Sequence, residues 1–388
     1  AVYYTKRRAS DDKEMVEAKD GKSSSRAIDY DRTLDWNSNE ALLKIFLDSA
    51  ASLRRQFLHY IRDEYHFPEE YISRLDRLFT YTCIGGKMNR GMVVVQTTRE
   101  LCKVRSIPLS DTLKRQSLVL GWCIEILQAC FLVADDIMDK SVTRRGQPCW
   151  YRHESVQLDA INDTLILESF LYFLLKLHFS DTKNYVTFLE LYREVALKTQ
   201  LGQMLDLLSQ PQGRKGPEVL HKFSRDGYIR IIVYKTAFYS FYIPFASAMI
   251  LCGIDSDECL KVSLDISVAI GTKFQIQDDY LDCFGDPLHI GKVGTDIADH
   301  KCTWLLVTAL KLVNREQLLL LETSYGKEDQ SEQDNIKQLY RDLKIPKLYA
   351  SQEQESYDSI LKMITDKSHL VPTCVFRPML DKIHNRTK

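Results

Sequence analysis

Two acidic clusters, Asp135-Asp136-Ile137-Met138-Asp139 and Asp278-Asp279-Tyr280-Leu281-Asp282, share the pattern DDxxD. On a helix, residues four apart lie on one face about one turn from each other, so the outer carboxylates of each cluster converge. Phe131-Leu132-Val133-Ala134 precedes the first cluster and Phe274-Gln275-Ile276-Gln277 the second, which predicts carboxylates at the edge of a core. Converging, half-buried carboxylates require cations. A small set of hard oxygen ligands with room for water and phosphate oxygens suits Mg²⁺, and Mn²⁺ fits the same donors. Asp135, Asp136, Asp139, Asp278, Asp279 and Asp282 are the candidate metal ligands, and a phosphate or diphosphate is the expected substrate.

Basic residues stand around both clusters: Arg144-Arg145 after the first, Lys292 and Lys301 after the second, Lys235-Thr236 between them, and Lys87 and Arg90 earlier. Arginine grips a diphosphate with a planar fork, whereas lysine acts as a point charge. Each has a plain structural alternative: an acidic run can be an exposed helix turn, Arg144-Arg145 a solvated turn, and Lys301 a helix C-terminal cap. Two copies of the acidic pattern, each with cations beside it, favour the diphosphate reading.

The elements that position these groups read as helices. Helical periodicity is plain over 41–65, 118–139 and 185–208, and alternating strands bounded by turn signals are absent, so an all-α bundle is expected. The 388 residues are 45% hydrophobic, enough for one large core, and no linker divides them. Pro244 follows the Lys235-Thr236 pair closely; it either kinks the helix and aims that pair into a cavity or marks an ordinary helix end. The ten cysteines are scattered, without zinc spacing, and read as reduced core residues. No uninterrupted apolar run approaches membrane-spanning length. With Lys+Arg at 52 against Asp+Glu at 53, nothing suggests a nucleic-acid surface. Residues 1–34 read as a leader; Lys6, Arg7 and Arg8 suit a transit-peptide remnant, and the acids that follow suit a disordered tail. An intracellular, reducing compartment is expected, cytoplasmic or mitochondrial.

Gly-Gly-Lys-Met-Asn-Arg-Gly (85–91), Phe-Leu-Val-Ala-Asp-Asp-Ile-Met-Asp (131–139) with Thr-Arg-Arg-Gly (143–146), Lys-Thr-Ala-Phe-Tyr-Ser-Phe-Tyr (235–242) and Phe-Gln-Ile-Gln-Asp-Asp-Tyr-Leu-Asp (274–282) with Gly-Lys-Val-Gly-Thr-Asp (291–296) occur in this order. This series resembles the short-chain trans-prenyltransferases, from about residue 35 to the C-terminus. The resemblance implies the isoprenoid synthase fold, a single catalytic domain over 35–388, and a homodimer. It implies Mg²⁺-dependent head-to-tail condensation of isopentenyl diphosphate with dimethylallyl and geranyl diphosphate, releasing diphosphate. The metal would bridge Asp135, Asp139 and Asp278 to the allylic diphosphate, with Arg144, Lys235 and Lys292 adding charge and Thr236 and Gln275 offering oxygen dipoles to the cation. Lys87, Arg90, Arg145 and Gln128 would hold isopentenyl diphosphate, Lys301 would add a substrate contact, and Arg386 would come from the closing tail. Asp296 would orient Lys292 or a metal-bound water.

Departures from the family pattern lie around the hydrocarbon pocket and the tail. Phe131 is one helical turn before Asp135, with Cys130 beside it, and the two are expected to floor the cavity that takes the growing chain. Cys130 replaces an aromatic there. A longer product, room for alkyl-branched homologues, and ordinary specificity with the gap filled by a neighbour are three competing readings; Phe131 favours fifteen carbons. Lys273, where the family has an aromatic, either snorkels outward or lies near the diphosphates. His384 stands in a tail where relatives often carry Tyr. A terpene synthase is the chief rival, and a ten- or twenty-carbon synthase the nearer one.

Overall fold

The structure is a computed structural model that describes residues 26–210, 220, 222–286, 294–384 and 386. Two long helices organise it, α4 (Asp111–Met138) and α9 (Asp257–Phe284). Each starts at a serine whose hydroxyl accepts a first-turn N–H, Ser110 from Leu113 and Ser256 from Cys259, with acidic residues in that turn. Each carries its aspartate pattern in the last turn. Residues 116–130 of α4 are buried without a break, which marks it as the central helix. Alone among the described helices, α4 is long and apolar enough to cross a membrane; 83% of its apolar window is buried inside the protein, so its hydrophobicity is that of a core helix. The membrane reading of the sequence, which counted only unbroken apolar runs, did not register it.

Around α4 pack α1 (Asn39–Tyr65), α2 (Glu69–Cys83), α3 (Asn89–Val104), α5 (Ala160–Phe179) and α6 (Tyr185–Ser209), followed by α7 (Arg225–Ile232), a π-helical segment (Val233–Tyr242) and α8 (Ile243–Leu251). After α9 come the short α10 (Trp304–Ala309), α11 (Arg315–Ser324), α12 (Gln330–Asp342), α13 (Ile345–Asp366) and α14 (Arg377–Ile383). Trp122 of α4 stacks on Phe46 of α1, centroids 4.7 Å apart, and its indole N–H donates to the Phe46 carbonyl and Ser49 hydroxyl. Truncating such a buried indole costs about 3–5 kcal/mol. The expected all-α architecture holds except for one ribbon, Thr143–Arg144 against Gln147–Pro148, whose tight turn puts Arg145 and Gly146 at positive φ. That two-stranded element is too short to carry an alternating pattern, and it sets the direction of Arg144 and Arg145.

Pro244 sits in the first turn of α8, directly after the π segment. The widened backbone therefore lies over Lys235 and Thr236 themselves rather than past them, a helix form frequent at functional sites. Gly202 explains how α6 approaches this segment: a Cβ there would lie 2.1 Å from the Lys235 backbone nitrogen. Only glycine permits that contact.

Candidate active site

Six aspartates crowd the C-terminal turns of α4 and α9, the ends at which the helix dipole disfavours negative charge. Cations must hold them. Asp135 places Oδ1 3.5 Å from the Lys235 ammonium and Oδ2 3.6 Å from Arg144, yet Oδ1 is buried without a hydrogen-bond donor. Asp139 lies 3.2 Å from Lys301; burial raises its carboxyl, and the lysine only partly offsets this. Asp278 is the most open of these, with Arg386 of the tail at 3.1 Å and the same guanidinium 4.2 Å over the Phe274 ring.

The remaining three aspartates are turned inward, against the expectation of six ligands. Asp136 is 3% exposed and accepts both Nε and Nη2 of Arg144, at 3.0 and 2.5 Å. Asp279 accepts from the Tyr228 hydroxyl at 2.7 Å, the Trp304 backbone N–H at 2.8 Å and Gln275 at 2.9 Å, and burial pushes its carboxyl well above the usual range. Asp282 accepts the Asp296 backbone N–H at 3.1 Å. Adjacent residues point about 100° apart on a helix, so when Asp135 and Asp278 face outward, Asp136 and Asp279 face the neighbouring elements. The expected role of Asp296 involved Lys292, which lies outside the described residues.

Asp206 on α6, which the sequence reading passed over, ties the two acidic ends together. Its carboxylate stands 2.6 Å from Lys235 and 3.2 Å from Lys301, and Lys301 in turn reaches Asp139. Burial opposes its charge, and the two ammonium groups outweigh that and hold it below the ordinary carboxylate range. Burial likewise opposes the charge of Lys235, but Asp206 and Asp135 raise its pKa well above that of a free lysine. Lys301, expected at a substrate, is thus engaged in this internal bridge. Thr236 donates to Gln275 Oε1 at 3.4 Å, which joins the π segment to α9. The available signal for Asp206 was one acid inside Met204-Leu205-Asp206-Leu207-Leu208, four residues after a glycine.

A second group of cations gathers at the start of α3. Arg90 donates to the Ser240 hydroxyl at 2.9 Å and to Tyr239 at 3.1 Å, and lies 4.8 Å over the Tyr239 ring. Arg145 reaches the Thr82 and Ile84 carbonyls at 3.3 and 3.4 Å, and its guanidinium packs on Gly86. Lys87 is exposed beside Lys382, which itself donates to Asn89 at 3.0 Å. Gln128 is buried with an unpaired Oε1. Beneath them Glu125, also missed, accepts the Gly91 N–H at 2.8 Å; burial raises its carboxyl. The π segment joins the two cation groups, Lys235 and Thr236 at one end, Tyr239 and Ser240 at the other.

Between α4, α6 and the π segment lies a cavity of about 370 Å³, lined by Phe131, Asp135, Gln203, Met204, Thr236 and Tyr239 among others. Phe131 meets Tyr239 edge to face at 5.7 Å. Cys130 is not among the lining residues; it is buried in the core near Cys83 of α2 and Glu168 of α5. The expectation that it floors the cavity fails for the same rotational reason as at Asp136. Lys273 also departs from both of its readings. It is 2% exposed, 2.6 Å from Glu353 of α13 and bonded to the Glu353 carbonyl at 2.8 Å. Burial lowers its pKa, and Glu353 works against that. Glu353 is also 3.6 Å from His384, whose ring stacks on Tyr357 at 4.0 Å, so Lys273 and His384 anchor the tail rather than touch a diphosphate.

Comparison with known proteins agrees with this arrangement. The chain is 43% identical over 355 residues to the farnesyl pyrophosphate synthase of Candida albicans, which spans 90% of this chain and 98% of that protein. It is 44% identical over 328 residues to the farnesyl pyrophosphate synthase of Homo sapiens, 84% of this chain and 77% of that one. A solved structure of the T. brucei farnesyl diphosphate synthase complexed with a bisphosphonate superposes with a TM-score of 0.82 at 30% identity, covering 89% of this chain and 100% of that chain. The model of the family described as polyprenyl synthetase matches residues 72–343. That match takes in both acidic helix ends, Arg144, Lys235 and Lys301 beside them, and the π segment, and the chain belongs to the polyprenyl synthetase family.

Proposed function

We propose that the chain is a farnesyl diphosphate synthase, a prenyltransferase that couples isopentenyl diphosphate first to dimethylallyl and then to geranyl diphosphate. The observation that carries this reading is the pairing of two outward aspartate faces with two separate cation groups, joined by one π-helical segment along a cavity that contains Phe131. A terpene synthase needs only one diphosphate subsite, and the group formed by Lys87, Arg90 and Arg145 would then have no purpose.

Mg²⁺ fits the donors present. Asp135, Asp139 and Asp278 offer oxygen ligands only, and Asp135 Oδ1 is buried with no donor of its own. The rest of the shell of such an ion is completed by water and substrate phosphate. When bound, the metal supplies charge that stabilises the departing diphosphate. Arg144 and Lys235 add fixed positive charge as the C–O bond of the allylic diphosphate breaks; Lys292, given the same role by the resemblance, lies outside the described residues. The Thr236 hydroxyl and Gln275 Oε1, paired at 3.4 Å, would offer their oxygen dipoles to the allylic carbons, where positive charge develops. Lys87, Arg90, Arg145 and Gln128 hold isopentenyl diphosphate so that its double bond attacks C1 of the allylic cation, and the released diphosphate takes the final proton. Arg386 closes the site over both substrates and keeps out water, which would quench the cation to an alcohol.

With Cys130 turned into the core, Phe131 supports a fifteen-carbon limit. Ten free cysteines suit a reducing compartment. Product analysis tests the reading: incubation with Mg²⁺, isopentenyl diphosphate and geranyl diphosphate, then dephosphorylation, yields farnesol. Cyclic hydrocarbons or uncoupled geraniol alone would overturn it. In the same assay Phe131→Ala shifts the product toward geranylgeraniol, and an unchanged product would remove Phe131 from the pocket floor.

A further inference from the structure

Helix α3 presents Asn89 and Arg90 to the second cation group, with Lys87 just before its start, yet that start has no cap of its own. Met88, the residue before it, is left-handed with φ 50° and has no acceptor to offer the first-turn N–H groups. A side chain from another helix fills that role. Glu125 of α4 accepts the Gly91 N–H at 2.8 Å through Oε1, and the Arg90 N–H points at the same carboxylate. The contact is possible because α3 and α4 cross backbone to backbone at Gly91 and Gly121: a Cβ on Gly91 would lie 2.9 Å from the Gly121 carbonyl and 3.0 Å from Glu125 Cγ. Glu125 is 3% exposed and is the one charged residue of α4 between Arg115 and Asp135. A buried carboxylate in an otherwise apolar stretch is costly unless its acceptors are used. Here Oε1 is used by the Gly91 N–H in the first turn of α3, and the Arg90 and Arg145 guanidinium groups lie within electrostatic reach.

We propose that Glu125 is the positioning residue of the isopentenyl diphosphate subsite: by capping α3 from below it sets where Lys87 and Arg90 point. The inference rests on the synthase reading above and deepens it. A residue that merely filled the core would change stability and affect both substrates alike. A positioning residue under one subsite shifts the KM of that substrate alone.

The test compares Glu125→Gln, Glu125→Asp and Glu125→Ala in steady-state kinetics with isopentenyl and geranyl diphosphate varied separately, alongside thermal melting. Glu125→Ala raises the KM for isopentenyl diphosphate about tenfold, the effect of losing one cap, and leaves KM for geranyl diphosphate within about twofold. Glu125→Gln keeps the acceptor and stays near the wild type. Glu125→Asp retreats by one methylene from the Gly91 N–H in a chain that keeps its charge, and carries the same prediction if the alanine variant does not fold. Equal shifts in both KM values, or an unchanged KM for isopentenyl diphosphate, overturn the proposal. A wild type that forms no coupled product overturns the synthase reading instead; calorimetric binding of isopentenyl diphosphate, weakened in Glu125→Asp, then still reads the positioning role.

Discussion

Neighbouring aspartates in one motif are held differently here. Asp135 has a buried oxygen with no donor, while Asp136 beside it is saturated by Arg144. Replacing each by asparagine separates the two roles. Asp135→Asn is expected to raise the Mg²⁺ concentration needed for half-maximal activity and to lower kcat by about 10²–10³, the size of losing one group that stabilises transition-state charge. Asp136→Asn is expected to lower the melting temperature, because a buried partner of Arg144 loses its charge, with the Mg²⁺ requirement unmoved. A metal titration followed through activity distinguishes them, and equal shifts in Mg²⁺ requirement would show that both aspartates serve the metal.

At the scale of elements, two contacts set how helices meet around the site. Gly202 brings α6 against the π segment and so delivers Asp206 to Lys235. In Gly202→Ala the new methyl meets backbone atoms, which cannot move aside as a side-chain end can. We expect a loss of about 3 kcal/mol or more, measured by denaturant unfolding, together with at least a tenfold fall in kcat; a stable, fully active variant would mean the close approach is not needed. His178 of α5 joins α1, its Nε2 2.9 Å from Gln56 Oε1. Because Oε1 only accepts, the ring donates there. It is 1% exposed, and burial, aided by Arg115 and Arg26, lowers its pKa from 6.5 to about 3. The folded value lies below the unfolded one, so the unfolded chain binds the extra proton. Stability contributed by neutral His178 is complete above pH 6.5 and is lost as pH falls toward about 3. By pH 5 the loss is roughly 2 kcal/mol. His178→Gln should flatten the stability profile between pH 7 and 5, and a parallel profile would assign that slope to other groups.

For the whole molecule, part of the uncovered apolar surface gathers on two successive helices. Ile161 and Leu165 on α5, with Leu197, Leu201, Met204 and Leu208 on α6, are each at least 40% exposed and recur at helical spacing. Met204 also lines the cavity beside Phe131. We propose that a second copy of the chain covers this face in a homodimer. Light scattering is expected to give twice the chain mass for the wild type and a single chain for Leu165→Glu combined with Leu201→Glu. A monomeric wild type would leave the stripe without this explanation.

Period was enough to identify three of the long helices, though not α9, and the two aspartate patterns with basic residues near them are written within a few residues each. The sequence-predicted helices over 41–65, 118–139 and 185–208 differ from Asn39–Tyr65, Asp111–Met138 and Tyr185–Ser209 mainly at the start of α4, where the apolar run follows a polar first turn. Glu125 was legible in principle as a lone charge in an apolar helix, and Asp206 likewise. Their partners were not, since Gly91, Lys235 and Lys301 lie on other elements. The same limit governs Lys273, which is buried because Glu353 arrives from α13 eighty residues later, and Cys130, whose direction depends on how α4 is rotated against α2 and α5. Local pattern states which residue types share a face of a helix. Which face meets the cavity is decided by every helix packed around it, and only the assembled bundle holds that information.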